Sequence, residues 1–164
     1  MGTKKLYEFL DHNPMVYMAP ATYVNNPQVI CQNENFVSIN SCVQIDFTGQ
    51  VCSESVGTKQ ISGTGGQVDF IRGANMSKGG RAMMVLNSSA KNGKISKIVP
   101  VLDSGAVVTT PRTDVRYIVT EYGIADMYGK TMSERARALI GIAHPNFREE
   151  LIAVWEERFK RSFR

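Results

Sequence analysis

The sequence predicts an α/β fold, a mixed sheet with helices packed on it. Three observations point there. Strict two-residue alternation begins at Val37, apolar runs recur through the middle of the chain, and the chain from Thr131 onward repeats at helical spacing. Strands therefore lead and helices close.

The elements are predicted in order. Thr3 caps a short helix through Leu10, with Leu6, Phe9 and Leu10 on one side, and Asn13-Pro14 ends it. Met15 to Ala19 reads as a short buried strand. Asn25-Asn26-Pro27 is a turn that opens a helical turn through Ile30. From Val37 the side chains alternate, with Val37, Ile39, Val43, Ile45 and Phe47 on the apolar face and Ser38, Asn40, Cys42, Gln44 and Asp46 on the other. Thr48-Gly49 turns the chain, and Gln50 to Val56 returns as a hairpin partner. The glycine-rich run Ser62 to Gly66 leads into a short helix through Phe70 and Ile71. Arg81 to Leu86 is an apolar strand. Asn92-Gly93 is a hairpin turn into Ile95 to Val101. Val107 to Thr109 and Tyr117 to Thr120 are further strands. Thr131-Met132-Ser133-Glu134 fits a capping box, in which Thr and Glu satisfy each other's free amides. Met132, Ala136, Leu139, Ile140 and Ala143 continue that helix. Pro145 opens a last helix with the stripe Phe147, Leu151, Val154, Trp155 and Arg158. Leu151, Val154 and Trp155 of that stripe read as a core or dimer surface.

Composition narrows the function. The chain has 164 residues, 43% of them hydrophobic and 21% charged, enough for one domain with a proper core. Its net charge of +4, from 19 basic and 15 acidic residues, suits an anionic small molecule. The basic residues are scattered, without the clustered footprint of a nucleic-acid binder. Cys31, Cys42 and Cys52 are odd in number and form no C-x-x-C pair, so reduced thiols in a cytoplasmic protein are expected. No run of apolar residues reaches membrane-spanning length, and the segment after Met1 to Lys5 is amphipathic, unlike a signal sequence.

The sharpest chemical feature is Gly63-Thr64-Gly65-Gly66-Gln67-Val68-Asp69-Phe70. Glycines let the backbone turn tightly and leave its amides uncovered, and such amides bind an anion or a developing oxyanion. Gln67 can add a side-chain donor, and Asp69 can brace the loop by accepting backbone hydrogen bonds. The same glycines also suit an ordinary turn, and spacing alone does not separate the two. A P-loop is excluded because no Gly-Lys-Ser/Thr follows, and the G-x-G-x-x-G spacing is missing.

The run Gly65 to Ala74 closely resembles the GGQxDFxxGA oxyanion motif of acyl-CoA transferases in the acetyl-CoA hydrolase/transferase family, especially the 4-hydroxybutyrate and butyrate:acetate types. Other stretches resemble landmarks of that family too. They are Asn25-Asn26-Pro27, Ser38 to Ser41, Asp46 to Gln50, Thr110-Pro111-Arg112, Thr120 to Asp126, Glu134 to Ile140 and Ile142 to Pro145. The resemblance runs from about Gly2 to about Leu151.

It implies an open CoA-transferase-type sheet flanked by helices (the NagB/RpiA/CoA-transferase-like class), with the chain as the C-terminal domain. It also implies ping-pong transfer through a glutamyl-CoA thioester between an acyl-CoA and a short-chain carboxylate. CoA is then a substrate, and neither a metal nor a resident cofactor is implied. Gly65 and Gly66 become the oxyanion loop. Asn40, Gly63, Gln67 and Lys78 are candidates for contact with CoA or the acyl group, with Arg81 beside Lys78 across Gly79-Gly80. The family's nucleophilic glutamate, in an E-x-G context, is expected upstream in an N-terminal domain, and the full protein is expected to be a homodimer. Glu34 and Glu54 do not match that context. Glu121 precedes Tyr122-Gly123 but belongs to the Thr-Glu-Tyr-Gly landmark, so it reads as a structural carboxylate. His144 reads as a helix cap. An acyl-CoA hydrolase and a non-catalytic CoA-binding module are the rival readings.

Overall fold

The computed structural model describes residues 2–163. The chain opens with three short helices. Thr3 caps α1 (Lys4–Leu10), its hydroxyl accepting the Leu6 amide at 3.3 Å. After α2 (Ala21–Val24), the Asn26 side chain caps α3 (Pro27–Ile30) by accepting the Gln28 amide at 2.9 Å, with Pro27 in the first turn. The strand expected over Met15 to Ala19 does not form. Met15, Tyr17 and Met18 lie 80% or more exposed, because no described strand pairs with this arm. A lone extended segment cannot satisfy its own backbone.

The run from Val37 is two strands instead of one. β1 (Val37–Ser41) and β2 (Gln44–Asp46) belong to different sheets, and the break at Cys42-Val43 resets the alternation. On β1 the predicted faces are reversed: Ser38 is buried and Val37 and Ile39 are exposed. Ile45 and Phe47 beyond the break are fully buried, as expected. β3 (Val51–Cys52) returns antiparallel to β2, and β4 (Ser55–Val56) then pairs with β5 (Lys59–Gln60). The turn between β2 and β3 is built on Asp46. Its carboxylate accepts from Thr48 N and Oγ1 and from Gln50 N and Nε2, all within 3.0 Å.

Helix α4 (Gln67–Met76) runs beyond the predicted Ile71 and packs on β1 and on β6 (Arg81–Val85). Its Gly73 faces α3 so closely that a Cβ there would sit 2.5 Å from Ile30 Cγ2. The Asn92-Gly93 turn joins β7 (Ser89–Ala90) to β8 (Ile95–Ser96), and β9 (Ile98–Val99) adds to β2 in parallel. Val107 to Thr109 is not a regular strand, and only Thr110 bridges Val51. β10 (Tyr117–Thr120) is as predicted. It turns straight into β11 (Gly123–Asp126), a strand the sequence reading did not separate from its landmark. The main sheet has the order β1-β6-β10-β11, with the first three strands parallel. The mixed sheet flanked by helices is thus the predicted class.

Both closing helices match the prediction. Thr131 and Glu134 form the capping box of α5 (Met132–Gly141), and His144-Pro145 starts α6 (Pro145–Phe159). Trp155 is buried between them and donates its indole N–H to Ser133 O at 2.9 Å, so Leu151, Val154 and Trp155 are core while Arg158 is exposed. Among the described residues no helix is long and apolar enough to cross a membrane.

Candidate active site

Topology brings the glycine loop to the edge of the sheet where ligands are usually held. β1 and β6 are parallel neighbours, and α4 lies between them in sequence. The helix must run back against the strands, so its first turn sits at their carboxyl ends.

The loop hangs from the β4–β5 hairpin. Glu54 O accepts the amides of Ile61 at 2.8 Å and Ser62 at 3.2 Å. Gln60 Nε2 donates to Glu54 Oε1 at 3.0 Å and to Ser62 O at 2.8 Å. The chain then passes Gly63 and Thr64, both exposed, into Gly65 at φ +56°, a left-handed conformation that favours glycine. Gly66 is the residue before α4 and supplies no side-chain cap. Among the described residues, no hydrogen bond uses the amides of Gly63, Thr64, Gly65, Gly66 or Gln67 as donors. Unpaired amides at a helix start attract negative charge.

Gln67 has a different task from the one its sequence position implied. Its Nε2 donates to Ser53 Oγ at 2.9 Å and to Thr110 Oγ1 at 2.8 Å, and Ser53 Oγ donates on to Ser41 O at 3.4 Å. The side chain therefore ties the loop to the end of β1 and to the segment after β9. Asp69 lies in the first turn of α4, where its charge favours the helix. No described backbone amide donates to it, so the expected brace is Gln67 instead.

Asn40 is half-buried, and its Nδ2 donates to Ser38 Oγ at 2.8 Å. Its strand register matches buried Met84, which puts it on the α4 side of the sheet, one residue from Ser41. Gly65, Gly66, Gln67 and Asn40 thus collect at one end of the sheet. Lys78 does not join them. It pairs with Glu34 at 2.9 Å beyond the other end of α4, roughly 15 Å away at 1.5 Å per residue. Arg81 opens β6 at that same far end.

Glu121 ends up at the carboxyl edge beside β6. Its carboxylate accepts from Ser88 N at 2.9 Å and Ser88 Oγ at 2.7 Å. Partial desolvation pulls its pKa up, but the hydrogen bonds from Ser88 and from its own backbone amide, with nearby His144, outweigh that and hold it below the usual glutamate range. Nδ1 of His144 accepts the Asn146 amide at 3.3 Å, and the ring meets Tyr122 and Phe147 edge-on, so it is the cap that was expected. Cys42 and Cys52 are buried free thiols, and burial pushes the Cys42 thiol up to about 12.

Sequence reasoning missed three groups here. Ser53 carried no signal of its own. Thr110 and Asn25 lay inside noted landmarks, and Asn25 Nδ2 comes within 2.5 Å of where a Gly66 side chain would begin.

The acetyl-CoA hydrolase/transferase C-terminal domain matches residues 2–154. The chain belongs to that family. The 4-hydroxybutyrate coenzyme A transferase of Clostridium kluyveri is 64% identical over 97% of this chain and 37% of its own length. The butyryl-CoA:acetate CoA-transferase of Anaerostipes caccae is 49% identical over 92% of this chain and 34% of its own. The crystal structure of 4-hydroxybutyrate CoA-transferase from Porphyromonas gingivalis superposes with a TM-score of 0.80 at 45% identity, covering 96% of this chain and 36% of that one. The chain spans about a third of the length of each of these relatives. Membership confirms the resemblance drawn from the Gly65 to Ala74 motif, and the fold is that of solved CoA-transferases.

Proposed function

We propose that this domain supplies the oxyanion loop of an acyl-CoA:carboxylate CoA-transferase of the 4-hydroxybutyrate, butyrate or acetate type. In this reading the nucleophilic glutamate comes from an N-terminal part of the working protein, which acts as a homodimer in the cytoplasm. The glutamate carboxylate attacks the thioester carbonyl, the C–S bond breaks, and CoA leaves as the thiolate from a mixed anhydride. The thiolate attacks the glutamyl carbonyl, releases the first carboxylic acid as its anion, and forms a glutamyl-CoA thioester. A second carboxylate then reverses the sequence and departs as the new acyl-CoA.

Each attack puts negative charge on a carbonyl oxygen. The observation that carries the proposal is the set of unpaired amides at Gly65 and Gly66, fixed at the carboxyl ends of the parallel strands. Fixed donors stabilise such charge without reorganising during the reaction. Gln67 holds the loop, Gly63 leaves open space on its approach, and Asn40 presents an amide to the acyl-CoA from the strand end. Neither a metal nor a resident cofactor has a task in these steps. If water replaced the second carboxylate, the same loop would serve a hydrolase.

The test is Gly66→Val in a joined enzyme, with this chain placed after the non-matching part of the C. kluyveri relative. A Cβ at Gly66 meets the movable end of Asn25 at 2.5 Å, so folding is kept while carbonyl approach is blocked. We expect kcat to fall by about a hundredfold, near 3 kcal/mol of transition-state stabilisation, with KM little changed. Wild-type kcat would remove the loop from the mechanism.

A further inference from the structure

Two arginines stand without a counter-charge at the amino end of β10. Arg116 directly precedes that strand, and its Cζ lies 4.9 Å from the ring centre of Tyr117 and 5.3 Å from that of Tyr128. The two rings hold the guanidinium in place. Its Nε is closed off from solvent with no hydrogen-bond partner. Arg135 of α5 turns Nη1 to the carbonyls of Arg112 at 2.9 Å and Thr48 at 3.1 Å. Partial burial, and then the neighbouring Arg112 charge, hold Arg135 below the usual arginine range. Among the described residues neither Arg116 nor Arg135 pairs with a carboxylate. Both line one groove of about 380 Å³, with Asn75, Thr113, Asp114 and Gly129. Asp114 is the one acidic residue in that lining, and Arg72 already holds it at 2.8 Å.

We propose that this groove binds a small molecule through a phosphate dianion. Guanidinium forks match phosphate oxygens two at a time, and two arginines on one groove supply two forks. A phosphate that grips the Nε–Nη2 edge of Arg116 gives Nε the acceptor it lacks. Water on two ordinary surface arginines leaves that Nε without a partner, and buried donors are nearly always paired. A partly desolvated cation also gains more from an anion than a hydrated one, because its surroundings screen less. The site lies apart from the glycine loop. Asn75 is beyond Gly66 along α4 by roughly 13 Å at 1.5 Å per residue. The inference therefore goes beyond the proposed function, and it stands whether or not that loop is catalytic.

Solution NMR of the 164-residue chain tests it without any turnover, through the Arg116 Nε–H signal and the Gly129 amide. Inorganic phosphate is titrated at constant ionic strength, with sodium chloride as the blank. Both signals should shift saturably with phosphate and stay still with chloride. Followed at Gly129, Arg116→Gln should weaken phosphate binding by about tenfold or more. Arg116→Lys keeps the charge and the fold but has no fork, so it should weaken binding by roughly threefold. Arg161→Gln removes the same charge from the exposed tail and should leave the affinity unchanged. Adenosine monophosphate is the second probe. Tighter binding than phosphate names a nucleotide as the source, and binding no tighter names free phosphate. An Arg116 signal that ignores phosphate, or that chloride moves equally, would overturn the proposal. So would one affinity shared by Arg116→Gln, Arg116→Lys and Arg161→Gln.

Discussion

Asp46 and Gln67 are two polar side chains whose value lies in what they join. Asp46 is 2% exposed, and its two carboxylate oxygens answer four donors across the β2–β3 turn. Asp46→Ala leaves those donors without an acceptor, and we expect a loss of about 2–3 kcal/mol in urea unfolding. A loss under ~0.5 kcal/mol would mean that water replaces the carboxylate at no cost. The Asp46 to Gln50 stretch was legible as a turn because the acceptor and its donors are neighbours. Gln67 was legible only as a polar residue beside a glycine loop. Its partners lie 14 and 43 residues away, a distance that no local pattern encodes. The same holds for Glu121 and Ser88, which meet only because parallel strands align their ends.

At the scale of elements, local chemistry was the reliable guide wherever it closed within one turn. The Thr131–Glu134 box is present with both halves, Glu134 Oε2 accepting the Thr131 amide at 2.8 Å. Thr131→Ala should cost about 1 kcal/mol, read by thermal or urea unfolding. An unchanged midpoint would show that the α5–α6 packing fixes the helix start unaided. Alternation was less reliable because it reports two faces and not which is inward. On β1 the apolar face turned outward, away from α4, and a break at Cys42-Val43 divided one expected strand between two sheets. Met15 to Ala19 has the residues of a strand but no neighbour among the described residues. β11 follows a turn of only two residues and includes a glycine, so its pattern was too short to stand out.

For the molecule as a whole, the fold class and the loop's position follow from one arrangement. Parallel β1 and β6 force α4 to begin at their carboxyl ends, and the glycines at that start leave amides free near Asn40, one residue before the end of its strand. On the proposed reading, the domain presents charge stabilisation at a site whose nucleophile is supplied from elsewhere. Acyl exchange between acetyl-CoA and butyrate, with butyryl-CoA followed by mass, tests that division of labour directly. The account predicts no turnover from the 164 residues alone and exchange once the chain is joined to the remaining part of its C. kluyveri relative. Clear exchange by the 164 residues alone would contradict it, placing the nucleophile inside this domain with Glu121 as the first residue to replace.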